Sequence, residues 1–329
     1  MKAVICKEFG PPESLVVAEV DDPVAGPGQV VVEVHACGVN FPDVLIIQNL
    51  YQFKPPLPFS PGGEVSGVVS AVGEGVDDVH GGDRVIASTG WGGLAEKVVT
   101  AAGSVIPVPD GIDLVAASAF IYAYGTSHYA LKDRAHLQPG ETLLVLGAAG
   151  GVGLAAVDLG RVMGARVIAA ASSDSKLELC REHGADELIN YADQDLRARL
   201  KELTANHGVD VVYDPVGGSY SEPALRSMAW DGRFLVIGFA AGEIPRIPLN
   251  LALLKSCQIV GVFWGAFAGR EPERNRENVA ELMQWWQDGI IGPHVSATYP
   301  LEKAKDAIRE LAERRARGKV VVTTSAYAG

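Results

Sequence analysis

Short runs in which apolar and polar residues alternate fill the first third of the chain, and clusters of proline and glycine separate them. Alternation with a period of two predicts strands, because successive side chains of a strand point to opposite faces of the sheet. The predicted strands span residues 29–34, 64–72, 83–87 and 95–100. Many short strands at this spacing are typical of a β-barrel or a sandwich.

From residue 137 onward, apolar runs alternate with segments whose apolar residues recur at helical spacing. This alternation indicates βαβ units and a parallel sheet. We expect a doubly wound sheet of six strands, at residues 142–146, 166–171, 187–190, 209–213, 233–237 and 258–262. Two helices, 276–287 and 301–317, come next, and a last strand at 319–324 is expected to rejoin the first domain.

A glycine-rich turn joins the first strand of this sheet to the predicted helix 154–163. A turn without Cβ atoms lets backbone amides approach a pyrophosphate, and the positive end of the helix dipole adds attraction. The context of strand, turn and helix favours a dinucleotide site over the alternative, a tight turn that binds nothing. The expected pyrophosphate contacts are Gly147, Gly150, Gly151, Val152 and Gly153.

The residues after the second strand of the sheet discriminate between the two nicotinamide dinucleotides. An acidic side chain there accepts a hydrogen bond from the ribose 2′-hydroxyl of NADH and repels the 2′-phosphate of NADPH. Ser172 and Ser173 can donate to a phosphate, and Lys176 can balance its charge. Asp174 is the competing residue, and Ser173 or Asp174 could instead cap a helix. We predict NADPH, with NADH as the alternative.

Composition and charge narrow the range of partners. At 329 residues the chain is long enough for two domains, and 48% hydrophobic residues suffice for a sizeable core. A formal charge of −12 opposes binding to nucleic acid and to anionic membranes. The four cysteines show no CxxC spacing. The apolar runs are too short for a membrane span or for an export signal. We expect a cytoplasmic protein that binds neither nucleic acid nor membranes.

Several motifs together resemble the zinc-free quinone oxidoreductase branch of the medium-chain dehydrogenase/reductases. They lie at residues 38–43, 61–67, 81–85, 124–126, 147–153, 214–218 and 318–321. The resemblance implies an α/β fold with two domains and an active site in the cleft between them. A GroES-like β-barrel catalytic domain is expected at 1–122 and 267–329, and a Rossmann NADP-binding domain at 123–266.

Zinc-dependent relatives in the same superfamily hold a catalytic metal through a Cys, a His and a second Cys. The corresponding positions here are Asn40, Gly63 and Tyr122, which supply neither thiolate nor imidazole. The cysteine-rich segment that holds a structural zinc is also missing after Ile86. We therefore expect no metal.

Without a Lewis acid, the plausible reaction is hydride delivery to an acceptor that is already electron-poor. Quinones, other α,β-unsaturated carbonyls and enoyl thioesters meet this requirement. Tyr51 is the predicted catalytic residue, because the resemblance implies a tyrosine against the substrate at this position and a phenol beside a developing enolate can stabilise it or donate a proton. Asn40 is the second, as its amide can orient the substrate or the nicotinamide ribose. The alternatives are an aromatic packed under a loop for Tyr51 and a turn-forming residue for Asn40.

The resemblance implies further contacts and an assembly. Phosphate contacts across the cleft are expected from Arg317 or Lys319. A homodimer is expected through the edge strand 258–262. The other implied cofactor contacts are Asn40, Pro42, Thr126, Lys176, Tyr191, Phe239, Phe263 and Trp264.

The predicted function is thus NADPH-dependent, zinc-independent reduction of quinones or other α,β-unsaturated carbonyls. An enoyl thioester reductase is the alternative within the same reaction class. A nucleotide-binding stress or crystallin-like protein with little turnover is the alternative from another class.

Overall fold

The computed structural model describes residues 1–327 and divides the chain into two compact units. The first unit comprises Met1–Tyr122 and the segment from Pro293 onward, and the second comprises Ala123–Gly292. Among the described residues, no helix is both long and apolar enough to cross a membrane.

The described residues include fifteen strands and eleven α-helices, numbered along the chain. The strands are β1 (Lys2–Ile5), β2 (Val16–Glu19), β3 (Gln29–Val39), β4 (Glu64–Val72), β5 (Arg84–Ser88), β6 (Lys97–Ala101), β7 (Val105–Pro107), β8 (Thr142–Leu146), β9 (Arg166–Ala171), β10 (Glu187–Asn190), β11 (Val209–Asp214), β12 (Met228–Val236), β13 (Gln258–Gly261), β14 (Val295–Pro300) and β15 (Lys319–Thr323). The helices are α1 (Phe41–Ile46), α2 (Leu114–Ala117), α3 (Ile121–His128), α4 (Gly151–Val162), α5 (Asp174–Glu182), α6 (Leu196–Leu203), α7 (Ser221–Arg226), α8 (Asn250–Lys255), α9 (Trp264–Arg270), α10 (Pro272–Gln287) and α11 (Ala304–Ala312).

A seven-stranded sheet in the order β14-β15-β3-β4-β5-β7 forms the first unit, and β6 pairs with β3 off this path. Valines on its strands fill the core, among them Val32, Val65 and Val322. β15 pairs antiparallel with β3, so Val320 lies opposite Val39. This pairing confirms that the last strand rejoins the first domain.

The second unit contains a six-stranded parallel sheet in the order β10-β9-β8-β11-β12-β13. The predicted doubly wound sheet is confirmed, and β8, β9 and β10 begin and end where the apolar runs do. β12 begins five positions earlier than predicted, at Met228, because Asp231 and Gly232 in its middle look like a turn. Asp231 indeed has a φ of +62°.

Residues 267–292 lie with the second unit, whereas the family resemblance implied that they belong to the first. Hydrogen bonds from α10 explain this placement. Arg274 and Asn278 both donate to the Asp133 carboxylate, at 2.5 and 2.6 Å. Glu281 lies 2.8 Å from the buried His128 ring. Such polar pairs far apart in sequence leave no local pattern.

Candidate active site

The glycine turn between β8 and α4 is packed so closely that side chains would not fit at two of its positions. Gly147 has a φ of +58°, and a Cβ on it would lie 2.7 Å from Val216 Cγ2. A Cβ on Gly153 would lie 2.3 Å from the Gly147 carbonyl oxygen. The N-cap of the twelve-residue α4 is Gly150, which has no side chain to cap the N–H groups of the first turn. The turn thus has the close backbone approach and the open helix N-terminus that a pyrophosphate requires.

Two linked hydrogen bonds connect this turn to Ser127 and Tyr213. The Ser127 hydroxyl donates to the Val152 carbonyl at 2.9 Å, and the Tyr213 hydroxyl lies 2.8 Å from Ser127 Oγ. Because Ser127 has a single hydroxyl proton, Tyr213 must be the donor to Ser127. Burial raises the pKa of Tyr213, which keeps this proton in place. No sequence motif pointed to these two residues.

The end of β9 presents Ser172, Ser173 and Lys176 together. Lys176 Nζ lies 3.3 Å from Ser172 Oγ. Ser173 is the N-cap of α5 but makes no side-chain capping bond, and Asp174 is already inside the helix. The Asp174 carboxylate accepts a hydrogen bond at 2.9 Å from Nδ2 of Asn190, the last residue of β10. Ser172 and Lys176 are thus close enough that both could donate to one phosphate group.

The aromatic residues predicted around the cofactor differ in accessibility. The Tyr191 ring is tilted by 40° against Tyr220, with centroids 4.3 Å apart. Phe263 is 44% exposed, whereas Trp264 is 9% exposed and its indole Nε1 donates to Asn275 at 3.0 Å. Trp264 also covers Gly125, where a Cβ would lie 2.8 Å from its ring.

Two other predicted contacts lie in the second unit. Thr126 is half-buried in α3, one position before Ser127. Phe239 is half-buried against Gly217, where a Cβ would lie 2.9 Å from its ring.

In the first unit, Asn40 belongs to a buried charged network with Glu64 and Lys319. Lys319 Nζ donates to Asn40 Oδ1 at 2.6 Å and to Glu64 Oε2 at 3.0 Å. Glu64 Oε2 also accepts from Asn40 Nδ2 at 2.9 Å. Lys319 is 4% exposed and Glu64 fully buried. The phosphate contact expected of Lys319 does not agree with this position, since its ammonium group is buried and paired. Arg317 is exposed, and its expected phosphate contact stays a prediction.

Asp43 holds the start of α1 in place beside this network. Its carboxylate accepts hydrogen bonds from the main-chain N–H groups of Asn40 at 2.8 Å and of Gly62 at 2.9 Å. Burial raises its pKa to about 6, against these two bonds, which lower it. Pro42, half-buried, occupies the first turn of α1, where its missing N–H costs nothing.

Two tyrosines in the first unit supply phenolic protons. Tyr51 is half-buried, with its ring edge-on to Phe53 at 5.8 Å. Burial and the nearby Asp43 charge raise its pKa. Burial also raises the pKa of Tyr122, and the charges of Glu64 and Asp43 add to this effect. Both phenols are therefore fully protonated at neutral pH.

The three positions that correspond to zinc ligands do not fit the metal. A Cβ on Gly63 would lie 2.7 Å from the Tyr122 hydroxyl, so the phenol fills the space that a side chain there would need. Asn40 contributes an amide that is already bonded to Glu64 and Lys319. Among residues 1–327, no group of three or more His, Cys, Asp or Glu side chains is arranged to hold a metal ion.

Comparisons with known proteins agree with this architecture. Residues 26–110 match the family described as "Alcohol dehydrogenase GroES-like domain", and residues 151–286 match the family described as "Zinc-binding dehydrogenase". Over 327 residues the chain is 42% identical to the quinone oxidoreductase-like protein 2 homolog of Nematostella vectensis, covering 98% of this chain and 89% of that protein.

Two solved structures are similar over nearly the whole chain. Escherichia coli quinone oxidoreductase complexed with NADPH has a TM-score of 0.92 at 30% identity, covering 98% of this chain and 100% of that chain. CurK enoyl reductase has a TM-score of 0.89 at 28% identity, covering 98% and 99% of the respective chains.

Proposed function

Because this chain belongs to the quinone oxidoreductases of the medium-chain dehydrogenase/reductase superfamily, we propose that it reduces quinones or other α,β-unsaturated carbonyls with NADPH and without zinc. The observation that carries the zinc-free part is the Tyr122 hydroxyl beside Gly63, together with the amide at Asn40. Neither position provides a ligand that zinc prefers.

NADPH, when bound, supplies a hydride to the acceptor. The protein's part is to hold the pyrophosphate at the Gly147–Gly153 turn and to provide a proton donor near the acceptor oxygen. Hydride addition to carbon moves negative charge to that oxygen, where a hydrogen bond from the Tyr51 hydroxyl stabilises it. Since its pKa is raised, Tyr51 carries its proton throughout the neutral range.

A panel of acceptors tested with both NADPH and NADH examines the proposal. Benzoquinones, enones and enoyl-CoA esters are each mixed with the protein, and oxidation of the dinucleotide is followed by its absorbance. We expect quinones or enones to oxidise NADPH faster than NADH. Binding of NADPH without turnover on any acceptor would refute the proposal and favour a nucleotide-binding protein.

An enoyl thioester reductase is the second candidate, and the similarity to CurK enoyl reductase favours it. The same panel separates the two candidates. Faster turnover with enoyl-CoA than with any quinone or free enone would make the thioester the acceptor.

Lys176→Ala tests the choice of dinucleotide. We expect NADPH binding to weaken by about 1.5 to 3 kcal/mol, the range for a hydrogen bond to a charged group, while NADH binding barely changes. Calorimetric titration with each dinucleotide measures both. The control is Lys201→Ala, an exposed lysine of α6 in the same unit. An equal loss for both dinucleotides would instead favour recognition of the ribose by Asp174.

The absence of zinc is testable by elemental analysis. Protein purified without chelator, in medium supplemented with zinc, is expected to carry far less than one zinc per chain. Stoichiometric zinc that persists after dialysis would contradict the proposed metal-free chemistry.

The edge strand β13 is proposed to pair two copies of the chain. β13 is the last strand of the six-stranded sheet, and Ile259 on it is 42% exposed. Exposed Leu253 on α8 and exposed Leu249, the N-cap of that helix, add apolar surface just before β13 in the chain. An unpaired sheet edge of this kind is buried when a second copy adds to it.

Ile259→Lys should therefore shift the chain from dimer to monomer in sedimentation velocity experiments. The control is Val24→Lys, which replaces an 85% exposed valine in the first unit and should leave the dimer unchanged. A dimer of unaltered stability in the Ile259 variant would exclude this edge as the interface.

A further inference from the structure

The side chain of Asn190, the last residue of β10, bridges two carboxylates. One Nδ2 proton goes to Asp174 Oδ1 and the other to Asp193 Oδ2, each at 2.9 Å. Oδ1 of Asn190 accepts a hydrogen bond from the main-chain N–H of Ala192 at 3.1 Å. Asn190 is 8% exposed, so water competes little for these bonds. Both protons of the amide are therefore committed to acidic side chains.

The three partners fix which way the amide of Asn190 faces. Rotating it by half a turn would point its oxygen at both carboxylates and its NH₂ group at the Ala192 N–H. All of these contacts would be repulsive. The main-chain N–H of Gln194 also donates to the main-chain oxygen of Asn190 at 2.9 Å, which holds the loop after β10 in place. Asn190 is thus a fixed donor toward Asp174.

Asp174 is the acidic residue that opposes NADPH, and its hydrogen bond ties it to β10. It begins α5, and Lys176 lies two positions further along the same helix. Two positions correspond to about 200° around a helix axis, so the two side chains leave α5 on different sides. Lys176 meets Ser172, just after β9, at 3.3 Å between Nζ and Oγ. The acid is thereby held at the end of β10, and the base at the end of β9.

We propose that Asn190 is a positioning residue that sets the preference for NADPH by holding the Asp174 carboxylate away from the 2′-phosphate. Without its NH₂ group, the Asp174 and Asp193 carboxylates would repel each other, since each lies 2.9 Å from the same nitrogen. Asp174 is exposed, so its side chain would then be free to turn toward the phosphate. This assignment rests on the proposed binding of NADPH at Ser172 and Lys176, and all of its residues belong to the second unit.

Asn190→Ala tests the proposal by binding alone. Calorimetric titrations with NADPH and NADH give the ratio of the two affinities. We expect this ratio to fall about 3- to 10-fold in favour of NADH, the effect of one partly screened charge near the phosphate. The fall should shrink at high salt, because mobile ions screen an exposed charge. A loss of general stability would weaken both dinucleotides alike and leave the ratio where it was.

Asp174→Ala shows whether Asn190 acts through Asp174. In the wild-type protein this change should barely alter the ratio, because the carboxylate is already held away from the phosphate. In the Asn190→Ala background it should restore the wild-type ratio, so the two changes are not additive. A ratio that Asn190→Ala leaves unchanged, or a fall that Asp174→Ala does not restore, would overturn the inference.

Asp174→Asn carries the test if Asn190→Ala does not fold, since an asparagine keeps an acceptor for Asn190 and loses only the charge. Its ratio should stay near the wild-type value. A ratio that rises, through weaker NADH or stronger NADPH binding, would show that Asp174 already acts on the ribose or on the phosphate, and it would overturn the inference.

The matched control is Asn278→Ala, which removes another hydrogen bond between an asparagine and an aspartate, at 2.6 Å to Asp133, in the same unit. It should leave the ratio of the two affinities unchanged. Absence of turnover on every acceptor, with the binding differences of the Asn190 variant intact, would refute the proposed reduction and leave the inference standing.

Discussion

Gly153→Ala is expected to weaken NADPH binding by about 100-fold or more. The new Cβ would lie 2.3 Å from the Gly147 carbonyl oxygen, far inside contact distance, and neither atom can rotate away, because the oxygen belongs to the main chain and the Cβ is fixed to it. Relief requires the turn to open, which moves the amides away from the pyrophosphate. Calorimetric titration with NADPH measures the loss, and thermal unfolding shows whether the variant still folds.

Gly269→Ala is the matched control for this change. Gly269 lies in α9 of the same unit, and a Cβ there has no heavy atom within 4 Å. Alanine also suits a helix better than glycine, so the control should keep its stability and its NADPH affinity. A folded Gly153→Ala protein with the wild-type dissociation constant would show that the turn does not hold the cofactor.

Tyr51→Phe should lower the turnover number by about 100-fold or more, the usual contribution of a positioned proton donor, and leave NADPH affinity nearly unchanged. The change removes one hydroxyl and keeps the ring that packs against Phe53. Steady-state kinetics on the best acceptor of the panel and a separate NADPH titration give the two quantities.

Tyr299→Phe removes a hydroxyl of the same kind in the same unit, one that is bonded to Glu310. It should keep wild-type turnover. If Tyr51→Phe and Tyr299→Phe turn over equally fast, the Tyr51 hydroxyl has no part in the reaction, and Tyr122 becomes the next phenol to test.

Much of the second unit could be predicted because its information is local. A buried parallel strand is a continuous apolar run, and a polar or glycine residue marks each end, as at β8 and β9. Strands β2 and β14 gave no such signal, since they are short and largely exposed. The pattern of residues along one segment cannot distinguish such strands from loops.

The role of Lys319 could not be predicted for a different reason. Lys319 and Asn40 are 279 positions apart, and they meet because β15 pairs with β3 in one particular register. A lysine near a glycine at the end of a chain looks like a surface cation, and only the strand pairing shows it to be buried. The Tyr213–Ser127 hydrogen bond was missed likewise, because its members are 86 positions apart.

The Tyr122 phenol packed beside Gly63 limits which side chains can replace this glycine, in protein design and in evolution alike. Installing an imidazole at position 63 meets the Tyr122 ring, so residue 122 has to shrink in the same step. A thiol at position 40 would leave Lys319 without its amide oxygen, and that ammonium group would need a new neighbour. Building a metal-dependent alcohol dehydrogenase on this scaffold therefore requires replacements at positions 40, 63 and 122 that are made together.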